Sequence, residues 1–168
     1  FFCFLLLNNL ENKVVLISRI FIGFLFFELF SFYSDFFTQF ESKDFNALNL
    51  KGVAGNKNIT AASIAFKVPF VLYSIVTAKR GLLKVILSLV LLTALFSISI
   101  LSARAAILSS FIVFLIFLLY SLYNLVINRS NLVKGLTNFL LTIVPYVAAI
   151  ILNLAFTSSQ NKGDITSQ

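Results

Sequence analysis

Long apolar stretches alternate with short polar ones along the whole chain. A helix needs about 20 apolar residues, at about 1.5 Å each, to cross the hydrocarbon of a bilayer. Runs of about that length predict spans at residues 14–34, 59–77, 82–101, 105–127 and 136–156. The block 82–127 is too long for one crossing, so we expect it to turn back at its most polar point, near Arg104. The pattern therefore predicts an all-α, polytopic transmembrane helix bundle.

The two ends of the chain predict a piece of a longer protein. The first residue is Phe1, and the apolar run from Phe1 to Leu7 is typical of the end of a truncated span. A polar segment follows the last predicted span and continues to Gln168. We therefore expect residues 1–168 to be a fragment of one membrane domain, with about five full spans and a truncated one.

Composition narrows the possible chemistry. Hydrophobic residues make up 60% of the chain and charged residues 11%, and the mean hydropathy is +1.00. Soluble domains have about 45–50% apolar and about 25% charged residues, so lipid must solvate part of this surface. With one cysteine, Cys3, and no histidine, we expect no metal site and no cofactor. The net charge of +7 is scattered without a basic stripe, which argues against nucleic acid.

Lysine and arginine positions predict how the spans are oriented, because cytoplasmic turns are enriched in both. One end of the predicted bundle carries Lys13, Lys79, Arg80, Lys84, Arg129 and Lys134. The other end carries Lys43, Lys51, Lys57, Arg104 and Lys162. The first set lies in short turns and the second in longer polar segments. We therefore predict that the short turns face the cytoplasm and that the loop 35–58, Arg104 and the C-terminal tail face the periplasm.

Arg104 is the first candidate for a functional residue. It lies between two apolar runs, at the end of the bundle where the charge rule predicts few basic residues. An arginine at the bilayer boundary costs a few kcal/mol unless it is paired or hydrated, and its planar fork suits phosphate. The alternative is an arginine that reaches lipid headgroups without a specific ligand.

The loop before the second span is the second candidate. Gly52 and Gly55 permit a close backbone approach, and Asn56 and Asn58 can bond hydroxyls and amides. Asn58 could cap the helix that follows, and a helix N-terminus beside Lys57 is an anion site. The alternative is an ordinary loop and helix cap.

Lys67 is the third candidate, because it lies about 13 Å inside its predicted span. An ionisable residue at that depth must face a partner or a hydrated cavity, and it marks a functional site by default. Pro69 weakens the helix two residues later. Glu28 lies at a similar depth in the neighbouring span, so an ion pair between Glu28 and Lys67 is one way to neutralise both charges. That pair could be purely structural.

Two of these segments together resemble a known family. The segment Gly52–Ala61 (GVAGNKNITA) and, two spans later, the segment Ser102–Ala106 (SARAA) are similar to motifs of the O-antigen ligase and O-antigen polymerase superfamily of bacterial membranes. In that family a glycine-and-asparagine loop opens one span on the periplasmic side, and a serine–arginine step opens another. The resemblance covers about residues 14–168. Lys57 departs from it, because many members have proline there.

The resemblance implies a metal-independent glycosyltransferase, a multi-pass protein of the bacterial inner membrane. It would transfer a glycan from an undecaprenyl diphosphate carrier to lipid A–core or to another glycan at the periplasmic face. Arg104 would hold the donor diphosphate, and Gly55, Asn56, Lys57 and Asn58 would line the same cavity. Lys67 is a further candidate substrate-binding residue because of its depth in its span, not because of the resemblance. Members carry further arginines and a histidine in a large periplasmic loop, which would begin near Gln168, so the fragment alone should be inactive.

Two other classes of protein remain open from the sequence. A transporter or flippase for a polysaccharide or a lipid-linked sugar also uses intramembrane charges such as Glu28 and Lys67. Transporters usually contain repeated halves, and no repeat is evident here. In a non-catalytic membrane subunit, the scattered charges would serve topology alone.

Overall fold

Five long helices make up almost all of the described chain. The computed structural model describes residues 10–40, 50, 52–127 and 132–165. The helices are α1 (Leu10–Phe40), α2 (Lys57–Thr77), α3 (Gly81–Ile100), α4 (Arg104–Ile127) and α5 (Leu132–Ile165). Each contains a stretch that is long and apolar enough to cross a membrane. The predicted polytopic helix bundle is confirmed, and the chain is a multi-pass membrane protein.

The predicted bounds of the loop 35–58 are wrong at both ends, because the flanking helices extend into it. Residues 35–40 continue α1, and residues 57 and 58 already belong to α2. Polar residues after position 34 indicate where α1 leaves the hydrocarbon, but no glycine or proline ends the helix there. The predicted truncated span at residues 1–7, the loop residues 41–49 and Arg129 lie outside the described residues.

The second and third helices form the centre of the bundle. Both α2 and α3 contact all four of the other helices. About half of the residues in their spans are buried, against about a fifth in α1, α4 and α5. The outer helices expose large apolar side chains, including Phe30, Phe37, Leu119 and Leu154. This distribution suits a bundle whose outer surface is solvated by lipid rather than by water.

Successive helices run in opposite directions, so the bundle has two ends. Phe156, near the end of α5, contacts Phe36 of α1 and Phe96 of α3. At the opposite end, Arg19 of α1 and Thr77 of α2 line one cavity. We call the end with Lys13, Lys79, Arg80 and Lys84 the basic end, and the end with residues 52–56 and 101–103 the loop end. Lys13, Lys79, Arg80 and Lys84 therefore lie at one end and Lys57 and Arg104 at the other, as the sequence predicted.

Polar groups inside the spans find partners within the chain. Pro145 has no N–H, so the carbonyl of Leu141 lacks its usual partner within α5. The hydroxyl of Ser88 on α3 donates to this carbonyl at 3.1 Å. Tyr146 similarly donates to the carbonyl of Ser110 on α4 at 3.1 Å. Such bonds join neighbouring helices where hydrocarbon offers no alternative partner.

Cysteine labelling tests this topology. With Cys3 replaced by serine, a membrane-impermeant maleimide should label Ala54→Cys from one side of the membrane only and Lys79→Cys from the opposite side only. Both positions are exposed, whereas Ile64→Cys, in the middle of α2, should resist the reagent and serves as the control. Labelling of Ala54→Cys and Lys79→Cys from the same side would contradict the up-and-down arrangement.

Candidate functional site

A tight turn precedes α2 at the loop end. Gly52 and Gly55 both have positive φ, at 59° and 67°, and the N–H of Gly55 donates to the carbonyl of Gly52 at 3.2 Å. A Cβ added to Gly52 would lie only 2.8 Å from Cγ2 of Thr60, whereas one added to Gly55 would meet nothing within 4 Å. The two glycines therefore serve different purposes. Gly55 supplies a backbone conformation, and Gly52 also allows the turn to pack on the first turn of α2.

Asn56, not Asn58, caps α2. The side-chain oxygen of Asn56 accepts from the backbone N–H of Asn58 at 2.9 Å and of Ile59 at 3.4 Å. Asn56 has extended backbone angles, as an N-cap residue requires, while Asn58 is already inside the helix. The cap predicted at Asn58 is therefore wrong by two residues. Gly55, Asn56 and Asn58 are exposed, and Lys57 is half-buried.

Arg104 begins α4 after a turn that contains no glycine. Ser102 in that turn has a φ of 52°, a conformation that costs an L-residue about 1–2 kcal/mol. Its hydroxyl lies 3.4 Å from the carbonyls of Ser99 and Ile100, at the end of α3. Arg104 is exposed and forms no ion pair with a carboxylate in the part of the chain that the structure describes. The turn thus places at the loop end an exposed guanidinium that no carboxylate of the described residues pairs with.

The structure brings the starts of α2 and α4 to the same end of two adjacent, parallel helices. Tyr73 of α2 and Ile116 and Tyr120 of α4 line one cavity. At about 1.5 Å a residue, Lys57 lies about 24 Å from Tyr73 along α2. Arg104 lies about 18 Å from Ile116 and about 24 Å from Tyr120 along α4. The two helix N-termini are therefore level to within about one helical turn, and both direct their positive dipole ends toward the loop end.

Lys67 lies elsewhere, in a buried cluster between α1 and α2. Its Nζ lies 2.9 Å from both carboxylate oxygens of Glu28, 2.7 Å from the hydroxyl of Ser63 and 3.1 Å from the Ser63 carbonyl. The Ser63 hydroxyl in turn donates to Glu28 at 2.7 Å. The side chain of Lys67 is only 8% exposed. The expected pair is confirmed, and its contacts occupy all three protons of the ammonium group.

Arg19 is a charged residue that sequence reasoning missed. It lies on α1 and, with Lys79 and Arg80, lines a cavity of about 740 Å³ at the basic end. Among the described residues with described side chains, Arg19 joins Lys13, Lys79, Arg80 and Lys84 at this end, whereas Lys57 and Arg104 lie at the loop end. The sequence does not show that Arg19 faces the turn after α2, because the packing of α1 on α2 determines which side of α1 faces that turn.

Comparisons with known proteins identify no relative. No protein-family model, curated protein or solved structure matches the chain. Among the described residues, no group of three or more cysteine, aspartate or glutamate side chains could hold a metal ion. The resemblance to the O-antigen ligase superfamily therefore stays a prediction from residues 52–61 and 102–106.

The two glycines of the turn allow a matched test. Gly52→Ala should lower the free energy of unfolding by about 2 kcal/mol or more, because a strained φ is combined with a clash against Thr60. Gly55→Ala has the strained φ alone and should lower it by about 1 kcal/mol. Unfolding of the purified protein in mixed detergent micelles measures both. Equal losses would show that the turn does not pack on α2 as described.

A double-mutant cycle tests the buried cluster. Lys67→Ala should destabilise the protein by about 3 kcal/mol, because it leaves the carboxylate of Glu28 alone inside the span. Adding Glu28→Ala to that variant should restore part of the loss, since no charge is then unpaired. The same unfolding assay applies. Additive losses in the double variant would mean that the two side chains do not interact.

Proposed function

We propose that the chain is part of a membrane glycosyltransferase. It would transfer a glycan from an undecaprenyl diphosphate carrier to lipid A–core or to another glycan, at the periplasmic face of a bacterial inner membrane. The observation that carries the proposal is the exposed guanidinium of Arg104 at the start of α4, level with the start of α2 and Lys57. The similarity of residues 52–61 and 102–106 to the ligase motifs supports the same assignment.

The charges at the loop end suit a diphosphate leaving group. When the acceptor hydroxyl attacks the anomeric carbon of the glycan, the bond from that carbon to the diphosphate breaks and its electron pair passes to the diphosphate. The proton of the hydroxyl passes to water or to the released diphosphate. A planar guanidinium can stabilise the charge of the diphosphate by donating two parallel hydrogen bonds to the phosphate oxygens. Lys57 and the positive ends of α2 and α4 add to the attraction. Fixed positive groups of this kind stabilise developing charge without reorganising.

The turn before α2 is suited to positioning a ligand. The Asn56 cap fixes the start of α2, and the Gly52–Gly55 turn keeps the preceding backbone against Thr60. Asn58 remains exposed beside them and offers both amide donors and an acceptor to sugar hydroxyls. In this proposal Arg104 and Lys57 bind the donor diphosphate, and Gly55, Asn56 and Asn58 line the cavity that holds it.

Lys67 takes a structural role in this proposal. A transporter would be favoured by an intramembrane charge with spare hydrogen-bonding capacity in a hydrated path. The ammonium group of Lys67 is instead fully engaged by Glu28 and Ser63. Glu28 and Lys67 therefore neutralise each other and join α1 to α2, so this pair gives no support to a transporter.

Substitution of Arg104 in the full-length protein tests the role of its fork. Arg104→Lys keeps the charge but loses bidentate contact, and Arg104→Ala loses both. Loss of a charge-assisted contact to phosphate should cost about 2–4 kcal/mol, or roughly 30- to 1,000-fold in rate. The measurement is transfer of a lipid-linked glycan to its acceptor in reconstituted membranes, with equal amounts of protein.

Lys13→Ala is the matched control, since it removes one positive charge at the basic end and should leave transfer unchanged. Expression and membrane insertion of the Arg104 variants should also be normal, because the side chain is exposed. Near-normal transfer by Arg104→Lys would discard the bidentate contact. Near-normal transfer by Arg104→Ala would discard Arg104 as a site residue, and movement of the lipid-linked sugar across the membrane without transfer would favour a flippase.

A further inference from the structure

The cavity at the basic end is formed by three helices. Arg19, Ile22 and Phe26 come from α1, Thr77 from the end of α2, and Lys79 and Arg80 from the turn before α3. We call this space the basic cavity. Its volume of about 740 Å³ is in the range of small-molecule sites in proteins, about 300–1,000 Å³. It lies at the opposite end of the bundle from Arg104, so it is separate from the proposed glycosyltransferase site.

The polar part of the basic cavity is strongly positive. None of the described residues that line it is acidic, and none of Arg19, Lys79 and Arg80 forms an ion pair with a carboxylate within the described ranges. Arg80 precedes the first residue of α3 without making a side-chain cap, and the first turn of α3 contains no acidic residue. The positive end of that helix therefore adds to three cations that have no described counter-charge.

The rule that places basic residues in cytoplasmic turns does not by itself account for three cations around one cavity. Lys79 and Arg80 lie in a short turn after the C-terminus of α2, where basic residues are expected both from the orientation rule and from the helix dipole. Arg19 lies on a different helix, inside the span that begins at Lys13. Its place on the cavity wall brings a third cation to the same space, although it belongs to neither the turn nor α2.

The remaining walls of the basic cavity are apolar. Ile22 and Phe26 extend it along α1 toward the middle of the span, and Ile86 and Leu87 extend it along α3. The hydroxyls of Ser74 and Thr77 lie between the cationic and the apolar parts. A small soluble anion would fill only the cationic part. A molecule with a phosphate at one end and a hydrocarbon chain at the other would fill both.

We propose that the basic cavity binds an anionic phospholipid of the surrounding leaflet. The lipid phosphate contacts Arg19, Lys79 and Arg80, and one acyl chain lies along Ile22, Phe26 and Ile86. Basic pockets between transmembrane helices commonly bind anionic headgroups in this way. This inference does not depend on the proposed glycosyltransferase function.

Lipid binding by the full-length protein in a neutral detergent tests the proposal. Native mass spectrometry with added phosphatidylglycerol or phosphatidylcholine gives the dissociation constant of each lipid. Phosphatidylglycerol should bind more tightly. Arg19→Gln and Arg80→Gln should each weaken it by about tenfold, the effect of losing one charge-assisted contact. Lys13→Gln is the matched control, since Lys13 is on the same helix and at the same end but does not line the cavity.

The outcomes separate a built site from diffuse attraction. An effect of Lys13→Gln equal to that of Arg19→Gln would show general surface charge and would overturn the proposal, as would equal affinity for the two lipids. Displacement of phosphatidylglycerol by millimolar glycerol phosphate would identify a soluble phosphate ligand and would overturn the lipid assignment. Retention of the lipid in that competition supports it. Arg80 is exposed in a turn, so Arg80→Gln keeps the test valid if Arg19→Gln does not fold.

Discussion

Hydrocarbon offers no hydrogen-bonding partner, so a polar group inside a membrane span has to be satisfied by the chain itself. The cluster of Glu28, Ser63 and Lys67 meets this requirement between α1 and α2. A single cation at that depth would cost about 3 kcal/mol, and the carboxylate of Glu28 removes that cost only when the two helices face each other correctly. The ion pair therefore determines which faces of α1 and α2 meet, and their packing follows from it.

Polar groups inside the spans of α3, α4 and α5 also find partners within the chain. Ser88 on α3 donates to the carbonyl of α5 that Pro145 leaves without a partner. The hydroxyl of Tyr146 on α5 donates to a backbone carbonyl of α4. Each of these bonds fixes the rotation of one helix relative to its neighbour. Apolar packing then fills the space between α2 and α3, where Leu72, Leu91 and other side chains are completely buried. Polar contacts specify the arrangement, and close packing supplies most of the contact area.

The up-and-down order makes the two ends of the bundle chemically different. At the loop end, the N-termini of the adjacent helices α2 and α4 carry Lys57 and Arg104, and exposed polar residues such as Asn56 and Asn58 lie beside exposed apolar ones such as Ile59. At the basic end, Arg19, Lys79 and Arg80 surround a cavity whose deeper walls are apolar. Both ends suit phosphate. The described cap and arginine at the loop end, Asn56 and Arg104, are exposed, which suits a ligand that arrives and leaves, whereas the basic cavity suits a lipid whose chain stays in the bilayer.

The sequence by itself determined the class of fold and the number of spans, because hydropathy and helix length follow directly from the thickness of a bilayer. It also indicated the Glu28–Lys67 pair, since two buried charges of opposite sign at similar depth have few alternatives. It misplaced the start of the loop and the cap of α2, because polarity shows where a helix leaves lipid and not where its hydrogen bonds end. Only the tertiary structure decided that Arg19 joins Lys79 and Arg80. Helix rotation and neighbour choice depend on packing between distant segments, which no local pattern contains.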